Sequence, residues 1–219
     1  MLIIFDIDGT LCDTLTVDAR CCLEAIEHVM GRSLATVDWS AYPEATNAAI
    51  VQDFLRECGE KEVASLERRI REEFVLRLED AGRRAPELFR PIDGALDLFA
   101  CLGSRRYDMA IATGCWHESA HAKLRLSGFD VTGIPFASSS DARRRVDIIT
   151  LAAARAGCSL ADAIYVGDGV WDVKAARELG MGFIGVGRKH ELLRAHGARR
   201  VFESFRDTDR FLSALDDGP

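Results

Sequence analysis

The chain has 219 residues, 48% of them hydrophobic, and a formal charge of −7. It is long enough to bury a core without disulfide or metal staples, and too acidic for a nucleic-acid backbone partner, which calls for a basic face. Seven cysteines occur without a Cys-x-x-Cys pair or regular spacing, the pattern of reduced thiols in a cytosolic protein rather than of a disulfide framework or a zinc site. Met1 runs into a strand-like stretch with no basic leader, long apolar segment or cleavage site, so a cytoplasmic protein with no membrane partner is expected.

Leu2-Ile3-Ile4-Phe5 reads as a strand covered on both faces, and it ends on Asp6-Ile7-Asp8-Gly9-Thr10-Leu11. Two carboxylates stand where a buried strand runs out, and Gly9 permits a tight turn that folds the second back toward the first. Taken alone, the pair is as compatible with a polar turn as with a reactive site. From Thr14 to about Glu87 apolar residues recur at helical spacing over Arg20 to Val29, Ala45 to Glu57 and Lys61 to Leu78, with dense charge between them. This predicts a helical insertion over 14–90, hinged at Cys12 to Thr14 and Arg90 to Gly94, that lies over the strand ends like a lid.

From Pro91 the rhythm becomes α/β. A helix is expected over Ala95 to Leu102, a strand over Asp108 to Ala112, a helix over His117 to Leu126 and a strand over Ile134 to Ala137. There follow a helix over Val146 to Ala156, a strand over Ala163 to Val166, a helix over Val173 to Leu179 and a strand over Gly182 to Val186. A strand at Arg200 to Phe202 and a helix over Asp207 to Leu215 close the edge. The expected fold is α/β: a doubly wound, mostly parallel, Rossmann-like sheet made by 1–13 and 91–219, with the helical insertion between.

Ligands of open α/β sheets bind at the carboxyl ends of the strands. Those ends deliver Asp6 and Asp8, then Thr113-Gly114, then Gly167-Asp168-Gly169 with Asp172 on the first turn of the next helix. Four carboxylates in one pocket repel by about 4 kcal/mol per close pair at an effective dielectric near 20, so a divalent cation is expected. An all-oxygen donor set without His or Cys favours Mg²⁺, and Mg²⁺ commonly recruits phosphate. Thr113-Gly114, opening a helix, offers an anion cradle, although Thr113 alone reads equally as a helix cap.

The run Asp6 to Leu11, Thr113 after a hydrophobic strand, and Gly167 to Asp172 resemble the first, second and fourth motifs of the haloacid dehalogenase-like phosphohydrolases. The helical insertion resembles that superfamily's C1 cap. One departure stands out: the third motif is usually a Lys, and none lies between Lys123 and Lys174. Arg143, Arg144 and Arg145 occupy that segment; Arg145 is preferred, while Arg143 fits better by counting to the Lys-Pro form. Arg supplies a permanent cation and bidentate phosphate contact.

The resemblance implies an Mg²⁺-dependent phosphomonoesterase, phosphoglycolate-phosphatase-like, acting on a small phosphorylated metabolite as monomer or homodimer. Asp6 would be the nucleophile that forms an aspartyl-phosphate, and Asp8 the general acid and then base, its pKa raised by neighbouring carboxylates. Asp6, Asp8 through its backbone carbonyl, Asp168 and Asp172 would hold the metal; Thr113, Gly114 and Arg145 would hold the phosphoryl group. A phosphomutase, or a catalytically silent phosphate- or partner-binding relative, are the alternatives. Trp116 and His117 read as capping or surface-packing residues, Trp171 as a packing residue, and Cys12 and Cys115 as small apolar filling.

Overall fold

The apolar run after Met1 forms β1 (Leu2–Phe5), every residue of which is buried. The other strands are β2 (Cys12–Asp13), β3 (Arg90–Pro91), β4 (Asp108–Ala112), β5 (Phe136–Ala137), β6 (Ala163–Gly167), β7 (Gly182–Val186) and β8 (Arg200–Phe202). In this computed structural model, which describes residues 1–34, 42, 44–105 and 107–216, six of them form a sheet of order β5-β4-β1-β6-β7-β8. Every neighbouring pair in it is parallel.

Successive side chains of a strand point to opposite faces, and β1 divides accordingly. Ile3 and Phe5 join a core with Leu98 and Leu102 of α4 (Ala95–Ser104), Leu124 of α5 (His117–Leu126) and Phe211 of α9 (Thr208–Asp216). Leu2 and Ile4 pack on the other side with Ile148 and Ile149 of α6 (Arg145–Arg155) and Ala175 and Ala176 of α7 (Val170–Glu178). The doubly wound, three-layer α/β architecture expected from the sequence is the one observed.

The segment between β2 and β3 is helical: α1 (Leu15–Met30), α2 (Asn47–Glu57) and α3 (Val63–Arg84). These helices share a separate hydrophobic cluster that includes Cys22, Phe54, Ile70 and Phe74. The antiparallel pairing of β2 with β3 ties both ends of the segment to the sheet, Cys12 opposite Pro91 and Asp13 opposite Arg90. The sequence did not reveal this ribbon, because two residues per strand are too few to show a period.

Three further differences have simple causes. The strand expected from Ile134 starts at Phe136, since Pro135 lacks an N–H to continue a ladder; it contributes only its carbonyl, to Ile111 N–H at 2.8 Å. A short helix, α8 (His190–Ala195), was not foreseen; it buries only Leu193, too little to show a helical stripe. Trp116, expected near the surface, is fully buried. Its ring meets Phe74 edge-on at 5.9 Å and its Nε1–H donates to Glu67 at 3.2 Å, so it fastens the core to α3. No described helix is long and apolar enough to cross a membrane.

Candidate active site

The parallel register brings the strand ends level. Phe5 lies opposite both Ile111 and Val166, so Asp6, Thr113 and Asp168 emerge together at the carboxyl edge of the sheet. Gly9 makes the return of the next loop possible. It has φ +77°, and a Cβ there would stand 2.5 Å from Asp168 Oδ2, so neither the conformation nor the space suits another residue. Asp172 occupies the first turn of α7 and reaches back, accepting from Gly169 N–H at 2.9 Å and from the Tyr165 hydroxyl at 3.1 Å.

Asp6, Asp168 and Asp172 are buried and can bring one carboxylate oxygen each within 4.8 Å of the others. One buried guanidinium stands among them: Arg145 Nη1 is 3.1 Å from Asp6 Oδ1, 3.3 Å from Asp172 Oδ1 and 3.2 Å from Tyr165 Oη. The neighbouring arginines go elsewhere. Arg143 bonds Gln52 and Asp53 of α2, and Arg144 pairs with Glu178 at 2.8 Å. Of the three, Arg145 alone enters the acidic cluster. The half-exposed Lys189 ammonium approaches Asp168 Oδ2 at 3.7 Å from the solvent side, and the two cations still do not balance three carboxylates. Burial, with Asp172 and Asp8 adding to it against Arg145, pushes Asp6 up to about 7. Burial, with Asp172, Asp6 and Asp8 adding to it against Lys189, holds Asp168 well above the usual carboxylate range.

Asp8 has different company. Its Oδ1 accepts from Thr14 Oγ1 at 2.6 Å, and its Oδ2 accepts from Lys123 Nζ at 2.5 Å and from Cys115 Sγ at 2.8 Å. Lys123 also donates to Asp18 of α1 and, at 3.0 Å, to Cys115 Sγ. Two expectations are corrected here. Burial acts to raise the pKa of Asp8, but Lys123, Cys115 and Thr14 outweigh it, and the carboxyl lies below its ordinary value rather than above. Cys115 does pack in the core, but it is also a polar partner of Asp8, so filling is only half of its part. Asp18 and Lys123 escaped the sequence reading altogether. Their signal was a Lys in the buried register of α5, three residues after Ala120 and beside Leu124.

A model of the family described as haloacid dehalogenase-like hydrolase matches residues 3–186. The chain belongs to that family. Among solved structures, it superposes on a hydrolase from Pseudomonas syringae with TM-score 0.77 at 23% identity, covering 98% of this chain and 97% of that one. A β-phosphoglucomutase from Clostridium difficile gives TM-score 0.76 at 15% identity over 99% and 97%. A protein described as a predicted phosphoglycolate phosphatase from Haemophilus somnus gives 0.68 at 16% over 96% and 97%. At these identities the structural likeness speaks for the fold. No curated protein matches the chain.

In this haloacid dehalogenase-like hydrolase the acidic edge faces a small cavity of about 50 Å³. Thr113, Gly114, Arg145 and Trp171 border it on the sheet side; Leu15, Ala45, Thr46, Asn47 and Ile50 border it from the helical segment. Close approach fixes Gly114, where a Cβ would stand 2.6 Å from Arg145 Nη2 and 2.8 Å from the Ala45 carbonyl. The two sides are tied by Asn47 N–H to Gly114 O at 2.7 Å and by Thr46 Oγ1 to Arg143 O at 2.9 Å. The donor set fits a hard divalent cation: carboxylate oxygens without imidazole, three acids against one guanidinium, and a buried Asp168 Oδ1 that has no hydrogen-bond partner.

Proposed function

We propose that the chain is an Mg²⁺-dependent phosphomonoesterase that works through an aspartyl-phosphate on Asp6. The observation that carries the reading is the Asp6–Asp168–Asp172 cluster with its single guanidinium, whose Asp6 and Arg145 line a cavity also bordered by Thr113 and Gly114. Asp6, Asp168 and the backbone carbonyl of Asp8 would hold the ion; Asp172, whose oxygens already serve Gly169, Tyr165 and Arg145, would act through water. Bound there, Mg²⁺ would offset charge on the phosphoryl oxygens.

The residues then divide the work. Asp6 attacks phosphorus in line while the leaving oxygen takes a proton from Asp8, giving the aspartyl-phosphate and a free alcohol. Asp8 next removes a proton from water, the water attacks the phosphoryl group, and Asp6 and phosphate separate. Lys123 and Thr14 keep Asp8 ionised before substrate arrives, the form required for the second step. The negative charge of an entering phosphate favours its protonation for the first. The Arg145 guanidinium, the Thr113 hydroxyl and the Gly114 N–H would orient the transferring oxygens.

The helical segment 14–90 is read as a C1-type cap over a core of 1–13 and 91–219. A cavity this small suits a small phosphorylated metabolite better than a macromolecule. Hydrolysis is favoured over phosphomutase chemistry by the charge of the lining. A mutase must seat a second phosphate, yet among the described residues bordering the cavity Arg145 is the one cation, and residues 35–41 and 43 contain no Lys or Arg.

The test is phosphate release from a panel of small phosphomonoesters with Mg²⁺. Turnover is expected without a bisphosphate activator and is expected to disappear with a chelator. A panel that stays silent with Mg²⁺ would instead favour a non-catalytic relative.

A further inference from the structure

The proposed reaction leaves one buried charge unexplained. Lys123 is fully buried, and an ammonium taken out of water is costly unless it is paired and hydrogen-bonded. A Leu or Met at this point of α5 would fill the space without that cost. All three of its N–H bonds are used, on Asp8 Oδ2, Asp18 Oδ1 and Cys115 Sγ. The Cys115 thiol passes the contact on by donating to Asp8 Oδ2. Asp8 is therefore gripped by donors from three places: Thr14 just before α1, Cys115 after β4, and Lys123 on α5. Asp18 is the anchor of the arrangement, because it accepts from Lys123 from the first turn of α1.

We infer that Lys123 is a positioning residue for Asp8: held by Asp18 and Cys115, its ammonium fixes the Asp8 carboxyl in the orientation from which it serves the leaving oxygen. The inference rests on the proposed role of Asp8. It adds the Asp18–Lys123 pair, which lies outside the motifs that carry the family resemblance, to the equipment of the site. The physical reason is that a carboxyl bonded on one oxygen can still rotate, whereas donors on both oxygens fix its plane. Proton transfer in the transition state depends on that alignment.

The test compares an alkyl phosphate, whose leaving oxygen needs a proton, with p-nitrophenyl phosphate, whose leaving oxygen does not. For Lys123→Met, kcat/KM, which reports the step that expels the leaving oxygen and not the later hydrolysis common to both esters, is expected to fall about 100-fold on the alkyl ester and less than about tenfold on the aryl ester, the range general acid catalysis supplies. Asp18→Asn is expected to give the same asymmetry, smaller. Equal losses on both esters would mark a merely structural role and overturn the inference, as would no loss on either. Should Lys123→Met not fold, Asp18→Asn carries the same comparison. A crystal structure of Lys123→Met with Asp8 unmoved against Thr14 would also overturn it. A wild type inactive on both esters would sink the phosphatase reading and this inference together; an active wild type with symmetric losses sinks the inference alone.

Discussion

Two acidic clusters stand side by side at the same edge of the sheet, and they are built to opposite ends. Around Asp8 and Asp18 the hydrogen bonding is closed: one ammonium serves both carboxylates and a thiol, and each of its donors has an acceptor, although burial and the Asp8 charge still push Asp18 up to about 6. Around Asp6, Asp168 and Asp172 it is open: three carboxylates share one buried guanidinium and the half-exposed Lys189 ammonium, 3.7 Å from Asp168 Oδ2, and Asp168 Oδ1 has no hydrogen-bond partner. A closed cluster completes itself and can only hold something still. An open one takes its missing charge from outside, first a cation and then, through the cation, an anion.

The sharpest way to break this contrast is to neutralise one carboxylate in each cluster. Asp6→Asn removes the oxygen proposed to attack phosphorus, and turnover is expected to fall by at least about 10³-fold, as for loss of a nucleophile. The fold should not suffer, since a buried anion in an under-neutralised cluster has been removed; the metal-free variant should melt at or above the wild-type temperature. Asp8→Asn should do the reverse to stability, because it takes from Lys123 one of its two carboxylate acceptors; Lys123 keeps Asp18, so the loss should be smaller than the about 3–5 kcal/mol of a buried charge left wholly unpaired. Paired thermal melts check both. An Asp6→Asn protein that melts well below the wild type would erase the distinction.

The open cluster also predicts how pH and metal act together. The folded pKa of Asp6, about 7, lies above its ordinary value of 3.8. Its contribution to stability is therefore fully present below pH 3.8 and is lost as pH rises through 7. Asp168, shifted in the same direction, adds to that loss. Metal-free protein should be less stable at pH 8 than at pH 5, and Mg²⁺ should raise the melting temperature more at pH 8, by an amount equivalent to about 2.7 kcal/mol at a hundredfold excess over Kd. Melting curves with and without Mg²⁺ at the two pH values measure it. A metal effect equal at both, or larger at pH 5, would contradict the account of the open cluster.

What the sequence disclosed of the two clusters follows the same division. The open cluster was legible, because its members sit directly after hydrophobic strands, at Asp6, Thr113 and Asp168, or one turn into a helix, at Asp172. The parallel register then forces them together. Arg145 was legible only as one of three arginines; which one points inward is decided by the start of α6, which turns Arg143 and Arg144 toward α2 and Glu178. The closed cluster was largely hidden. Lys123 and Asp18 are 105 positions apart, on helices whose charged residues elsewhere face solvent, and only the tertiary fold, in which α1 and α5 both pack against α3, makes them a pair. The β2–β3 ribbon and α8 were hidden for a different reason, being shorter than the periods that reveal strands and helices.

The smallest expected effect belongs to an ion pair outside both clusters. Arg143, just before α6, bonds Asp53 and, at 3.0 Å, Gln52 of α2. The two charged side chains are 37% and 32% exposed, so solvent screens them and the pair is worth about 1 kcal/mol or less in stability. Its position matters more than its strength, because α2 begins beside Thr46 and Asn47, which border the cavity. Asp53→Ala should leave kcat within about twofold, since no group that touches the phosphoryl centre moves. The same change should raise KM about two- to fivefold at low salt, by the fraction of a kcal/mol such a pair supplies. Raising the ionic strength should shrink the gap between variant and wild type, because screening weakens an exposed pair in the wild type as well. A KM gap that persists in high salt would mean that the Gln52 contact and the backbone ties at Thr46 and Asn47, rather than the charges, set how α2 sits over the open cluster.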